Sequence, residues 1–139
     1  MTEKNIKNPT FIHLDVNSEY SIGKSVVRID ELLDECINEG IPAVGIADHG
    51  NLFSAYKIYK RAIKKGIKPI IGVTLSVQSE TSKSDYKLIL LCKDKLGYEN
   101  LSHLITRSYV EGYHLGEAKI KMKWINNKNA EGLVAISAY

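Results

Sequence analysis

The sequence has 139 residues, of which 44% are hydrophobic and 25% are charged, and its formal net charge is +3. This length supports one hydrophobic core and excludes two ordinary domains, and the modest charge lacks the Lys and Arg excess of a dedicated nucleic-acid binder. Cys36 and Cys92 have no CxxC spacing, which disfavours a disulfide framework and a zinc site. No apolar run approaches the roughly 20 residues of a membrane helix, so a soluble, cytoplasmic protein without membrane contact is expected.

The first third of the chain predicts two strands with a helix between them. A polar leader covers residues 1–10, and FIHLDV at 11–16 predicts the first strand. Ser25 is the predicted cap of the first helix and Gly40 its end. The apolar side of this helix is predicted at Val26, Ile29, Leu32, Leu33, Cys36 and Ile37. PAVGIA at 42–47 predicts a buried second strand.

The middle of the chain predicts a second helix and two further strands. Asn51 is the predicted cap of the helix, and Gly66 its end. Its buried side is predicted at Leu52, Ala55, Tyr56, Tyr59 and Ile63. PIIGVTLSV at 69–77 and KLILLC at 87–92 predict strands three and four, and the polar residues 78–85 between them predict an exposed loop.

The last third predicts a helix over 97–113 and a fifth strand from Gly132. The inward side of the helix is predicted at Leu101, Leu104, Ile105 and Tyr109. Trp124 and Ile125 are expected to anchor the polar stretch 114–129, which has no clear element. Alternating strands and helices predict parallel strands and an α/β fold, either an open sheet or part of a βα barrel. Core positions are expected at Leu33, Ile46, Ile71, Leu90 and Leu104.

Polar residues cluster where the predicted strands end, which is where α/β proteins place their sites. They are His13, Asp15, Asn17, Glu19, Asp48, His49 and Thr74. We expect Asp15, Asn17, His49 and Thr74 to converge at one end of the sheet. Asp15 and His49, with Asp48 as a third candidate, offer the carboxylate and imidazole ligands that zinc and manganese accept. The alternative is that Asp48 caps a turn and Asp15 pairs with a cation.

Several segments occur together in one order that is specific to a known family. They are residues 11–21, which include FIHLDVNS, residues 41–77, which include ADHGN and GIKPIIG, and residues 88–114, which include GYENL. From residue 11 onward, the sequence resembles the opening of the PHP domain of bacterial DNA polymerase III alpha subunits. The resemblance implies a PHP-type βα barrel, seven-stranded in the family, of which residues 11–139 would form the N-terminal portion to about the fifth strand.

The same resemblance implies that a metal site has degenerated. Active members hold up to three metals on ligands that begin in an H-L-H-x-H-S strand, and His13 matches its first histidine, which is not a ligand. The ligand positions correspond here to Asp15, Asn17, Lys24, His49, Thr74, Lys87 and Tyr139. Only His49 keeps the usual residue, and a protonated lysine has no lone pair and repels a cation. No metal and no catalytic residue are therefore expected, and Lys24 is hypothesised to place its ammonium near Asp15, in the vacated metal position.

The resemblance implies a non-catalytic supporting domain that docks the proofreading exonuclease subunit beside the other replicase subunits. DNA contact, DNA synthesis and Mg²⁺ would then belong to the polymerase region of the parent protein. One alternative is a metal-dependent phosphoesterase of the PHP family, which a metal analysis would identify. Another is a DNA-binding module that uses the Lys-rich helix at 57–65, which a salt-dependent DNA titration would identify.

Overall fold

The computed structural model describes residues 11–79 and 84–138. In these ranges, the elements are α1 (Ile29–Asn38), β1 (Ala43–His49), α2 (Ala55–Lys64), β2 (Lys68–Gln78), β3 (Tyr86–Cys92), α3 (Lys95–Glu111), β4 (Tyr113–His114), β5 (Glu117–Lys121), a 3-10 turn (Met122–Trp124) and β6 (Leu133–Ala138). The predicted leader, part of the predicted loop at 78–85, and Tyr139 lie outside the described residues. None of the helices in the described ranges is long and apolar enough to span a bilayer.

The six strands of the described ranges form one mixed sheet. β1 and β5 lie along the same edge of the long strand β2 and run parallel to it. β3 pairs with the opposite edge of β2 in the antiparallel direction, and β6 pairs antiparallel with β3. The expectation of parallel strands is therefore wrong for β3, which runs opposite to both of its neighbours, whereas β6 runs in the direction of β2. Because only seven residues, 79–85, join β2 to β3, the connection is too short for a crossover helix and the chain returns in the opposite direction.

The predicted first strand is only a short parallel segment beside β1. Val16 forms a single parallel bridge with Ile46, and the Gly45 amide donates to the His13 carbonyl at 2.7 Å. A Cβ on Gly45 would lie 2.7 Å from the Cα of Leu14, so only glycine permits this close approach. The segment is nevertheless fixed against β1, and this contact positions the polar residues that follow it.

α1 and α2 begin at other residues than the sequence analysis predicted. α1 begins at Ile29 instead of after Ser25, whose hydroxyl donates to the Asn17 carbonyl, and Val26 is 91% exposed. Asn51 does not cap α2, because Ser54 occupies the N-cap position and the Asn51 side chain accepts from the Phe53 amide in the preceding turn.

The buried side of α2 is also displaced from the predicted one. α2 packs on the sheet through Ala55, Ile58 and Ala62. Tyr56, Tyr59 and Ile63, which were predicted to be buried, are exposed.

The three helices pack on one face of the sheet, which we call the outer face, and two hydrophobic clusters form there. The first joins α1 and α2 to β1 and includes Leu33 and Ile46, with Ile71 partly buried against it. The second joins α3 to β2 and β3 and includes Leu90, Leu104 and Trp124. These positions confirm the predicted core, with Ile71 less buried than expected. Asp94 caps α3 by accepting from the Gly97 amide at 2.8 Å, which starts the helix two residues before its predicted beginning.

Candidate functional site

The candidate site lies at the end of β1, beside residues 13–17 and the adjacent part of β2 around Thr74. His49 on β1 is the register partner of Thr74 on β2. The Thr74 hydroxyl lies 3.0 Å from the Ala47 carbonyl and 3.5 Å from Oδ1 of Asp15, and the Asn17 side-chain amide donates to the same carbonyl at 2.8 Å. The four residues that were expected to converge therefore do so, around the end of β1.

Lys24 brings a cation into direct contact with His49. Its ammonium nitrogen lies 3.2 Å from Nδ1 of His49. Because a protonated lysine can only donate, Nδ1 is assigned as the acceptor and the imidazole proton as lying on Nε2. The contact of Lys24 is thus with His49, whereas the sequence pointed to Asp15 as its neighbour. The Nδ1 lone pair, one of the two that a metal could use, is already engaged.

The electrostatic environment of His49 favours its neutral form. Partial burial lowers the pKa of His49, and the positive charges of Lys24 and then Lys87 lower it further, while Asp15 and Asp48 act weakly in the opposite direction. Lys87 is half-buried on β3, opposite Ser76 of β2. Both Lys24 and Lys87 therefore act on the same imidazole.

A cavity of about 350 Å³ opens over this cluster and includes Lys24, His49 and Thr74 in its lining. Ser76 and Glu117 lie in the same wall, and the Ser76 hydroxyl donates to the Glu117 carboxylate at 2.5 Å. This hydrogen bond lowers the pKa of Glu117, against an opposing effect of partial burial. Glu117 is a neighbour of the site that the sequence analysis missed, because it comes from β5, about 70 residues from His49 in the chain.

Asp48 lies on the opposite face of β1 from His49 and is fully buried. Its carboxylate accepts from the Ser18 amide and hydroxyl, both at 2.7 Å, from the Ser21 hydroxyl at 2.6 Å, and from the Ser54 hydroxyl at 2.5 Å. The three serines were not singled out from the sequence. The available signal was alternation along β1, which directs Asp48 away from the site and toward the segment that contains Ser18 and Ser21. Asp48 is therefore not a candidate metal ligand.

The donors at the site are a poor set for a divalent metal. His49 has one nitrogen engaged, the Asn17 amide is turned toward a carbonyl, and Thr74 offers only a neutral hydroxyl. Metal centres in proteins use several thiolate, imidazole or carboxylate ligands together. Among the described residues, no group of three or more His, Cys, Asp or Glu side chains is placed to hold a metal ion.

Known polymerase subunits resemble most of this chain. The DNA polymerase III subunit alpha of Borreliella burgdorferi is 39% identical over 137 residues, which cover 92% of this chain and 12% of that protein. The subunit of Aquifex aeolicus is 37% identical over 142 residues, with the same two coverages. The chain thus spans about 12% of the length of the polymerase subunits it matches.

Two solved structures share the fold at low sequence identity. One is a protein from Bifidobacterium adolescentis provisionally classed as a metal-dependent phosphoesterase, with a TM-score of 0.56 and 15% identity over 72% of this chain and 34% of that one. The other is an amidohydrolase from Chromobacterium violaceum with bound sulfate and no metal, with a TM-score of 0.55 and 19% identity over 85% of this chain and 45% of that one. These likenesses, with a sheet that does not close in the described ranges, agree with the predicted part of a barrel. Residues 13–139 also match the family model of the PHP domain, and the chain therefore belongs to the PHP domain family.

Proposed function

We propose that this chain is the N-terminal PHP region of a replicative DNA polymerase III alpha subunit and that it acts there without a catalytic metal. Its role is to support the polymerase and to dock the proofreading exonuclease subunit and other replicase components. Template-directed DNA synthesis, with its Mg²⁺, belongs to the polymerase region outside these residues. The similarity to alpha subunits over about nine-tenths of the chain supports the parent protein.

The contact between Lys24 and His49 is the observation that carries the non-catalytic role. A divalent ion bound beside His49 would stand close to the Lys24 ammonium. Charges of +2 and +1 about 4 Å apart repel by roughly 8 kcal/mol at an effective dielectric constant of about 20. Asp15 and Glu117 bring opposing carboxylates to this cavity, but Glu117 already accepts a hydrogen bond from Ser76. Lys87 adds a second positive charge near His49. The contact of Lys24 with His49 therefore disfavours a metal at this position.

The metal content and hydrolytic activity of the full-length polypeptide test this role. We expect less than one equivalent of zinc, manganese or iron by mass spectrometry. We also expect no metal-dependent hydrolysis of bis(p-nitrophenyl) phosphate or of DNA 3′ ends. The unmodified protein and His49→Ala should therefore show the same hydrolysis rate. Stoichiometric metal, with hydrolysis that His49→Ala abolishes, would instead support a PHP phosphoesterase.

The docking role is tested separately with purified proofreading exonuclease subunit. Biolayer interferometry should detect a specific complex with the full-length polypeptide. An absence of binding under conditions in which both proteins are folded would refute this part of the proposal and leave the metal-free role intact.

A further inference from the structure

We draw no further inference here: the strongest candidate, the apolar groove on the outer face of the sheet between α2 and the beginning of α3, which Tyr56, Tyr59 and Tyr98 line, carries nothing because nothing in the described part of the structure shows what covers it.

Discussion

Asp48 and His49 are consecutive residues on β1, and their side chains lie in different environments on opposite faces of the strand. Asp48 faces the outer layer, is fully buried, and accepts four hydrogen bonds from an amide and three serine hydroxyls. His49 faces the candidate site, is partly exposed, and contacts a lysine ammonium. Asp48 belongs to a complete polar network, whereas His49 lies among donors that are a poor set for a divalent metal.

The comparison shows that Asp48 has a structural role that does not depend on a bound metal. Asp48 joins the segment that contains Ser18 and Ser21 to Ser54 at the beginning of α2. A buried carboxylate with this many partners stabilises the fold whether or not a metal is bound, because its loss would leave several buried donors unsatisfied. Asp48 therefore has a structural role that is independent of the candidate site beside it.

Asp48→Ala should have the largest effect on stability. Four donors would lose their acceptor, and each buried unsatisfied group costs about 1–3 kcal/mol, so we expect the free energy of unfolding to fall by about 4 kcal/mol or more. Denaturant unfolding measures the change. The matched control is Asp15→Ala, at an exposed carboxylate, which should cost within about 0.5 kcal/mol. Equal losses in the two variants would remove the distinction between the two faces of β1.

Placing metal-ligating side chains at five positions of the candidate site should create a metal site. The variant combines Asp15→His, Asn17→His, Lys24→Asp, Thr74→Glu and Lys87→His. We expect its zinc affinity to rise at least about 100-fold, equivalent to about 2.7 kcal/mol, because it gains ligands and loses two opposing charges. Asn17→His alone should leave the affinity unchanged, since both lysines remain. Isothermal titration calorimetry measures both, and tight binding by Asn17→His alone would contradict the role of the lysines.

Lys24→Met should raise the pKa of His49, because one of the positive charges that lower it is removed. The imidazole resonances followed by NMR across pH 4–8 report the pKa directly. A histidine whose folded pKa lies below its ordinary value of about 6.5 binds fewer protons when folded than when unfolded. Its contribution to stability is therefore complete above about pH 6.5 and is lost as the pH falls through the folded pKa. Lys24→Met should reduce that acid-dependent loss, and an unchanged titration would show that the contact is unimportant.

Glu19→Gln should have the smallest effect, although Glu19 lies between the serines that bind Asp48. Its ion pair with Lys57 spans 2.6 Å, but both side chains remain about 30% exposed. Exposed pairs of this kind contribute about 0.2–1 kcal/mol, so the free energy of unfolding should fall by no more than about 1 kcal/mol. The loss should shrink in 1 M salt. A loss close to that of Asp48→Ala would mean that the ion pair, and not the buried network, fixes this segment.

Local patterns in the sequence account for most of the elements. Short apolar runs predicted β1, β2, β3 and β6, and helical periodicity predicted the three helices. Both signals depend on neighbouring residues alone, so they can be read from the sequence. Strand ends likewise placed Asp15 and His49 together, since alternation and parallel pairing bring such positions to one edge. The PHP family was also evident from the order of several short segments.

Tertiary structure decided what local patterns could not. The antiparallel direction of β3 follows from a connection of only seven residues, which is too short for a crossover helix. Tyr56 and Tyr59 are exposed on a helix face that periodicity assigned to the core. The contact of Lys24 with His49 joins residues 25 positions apart, and that of Ser18 with Asp48 joins residues 30 positions apart. The sequence determined which side chains were available, whereas the packing of distant segments determined which of them met.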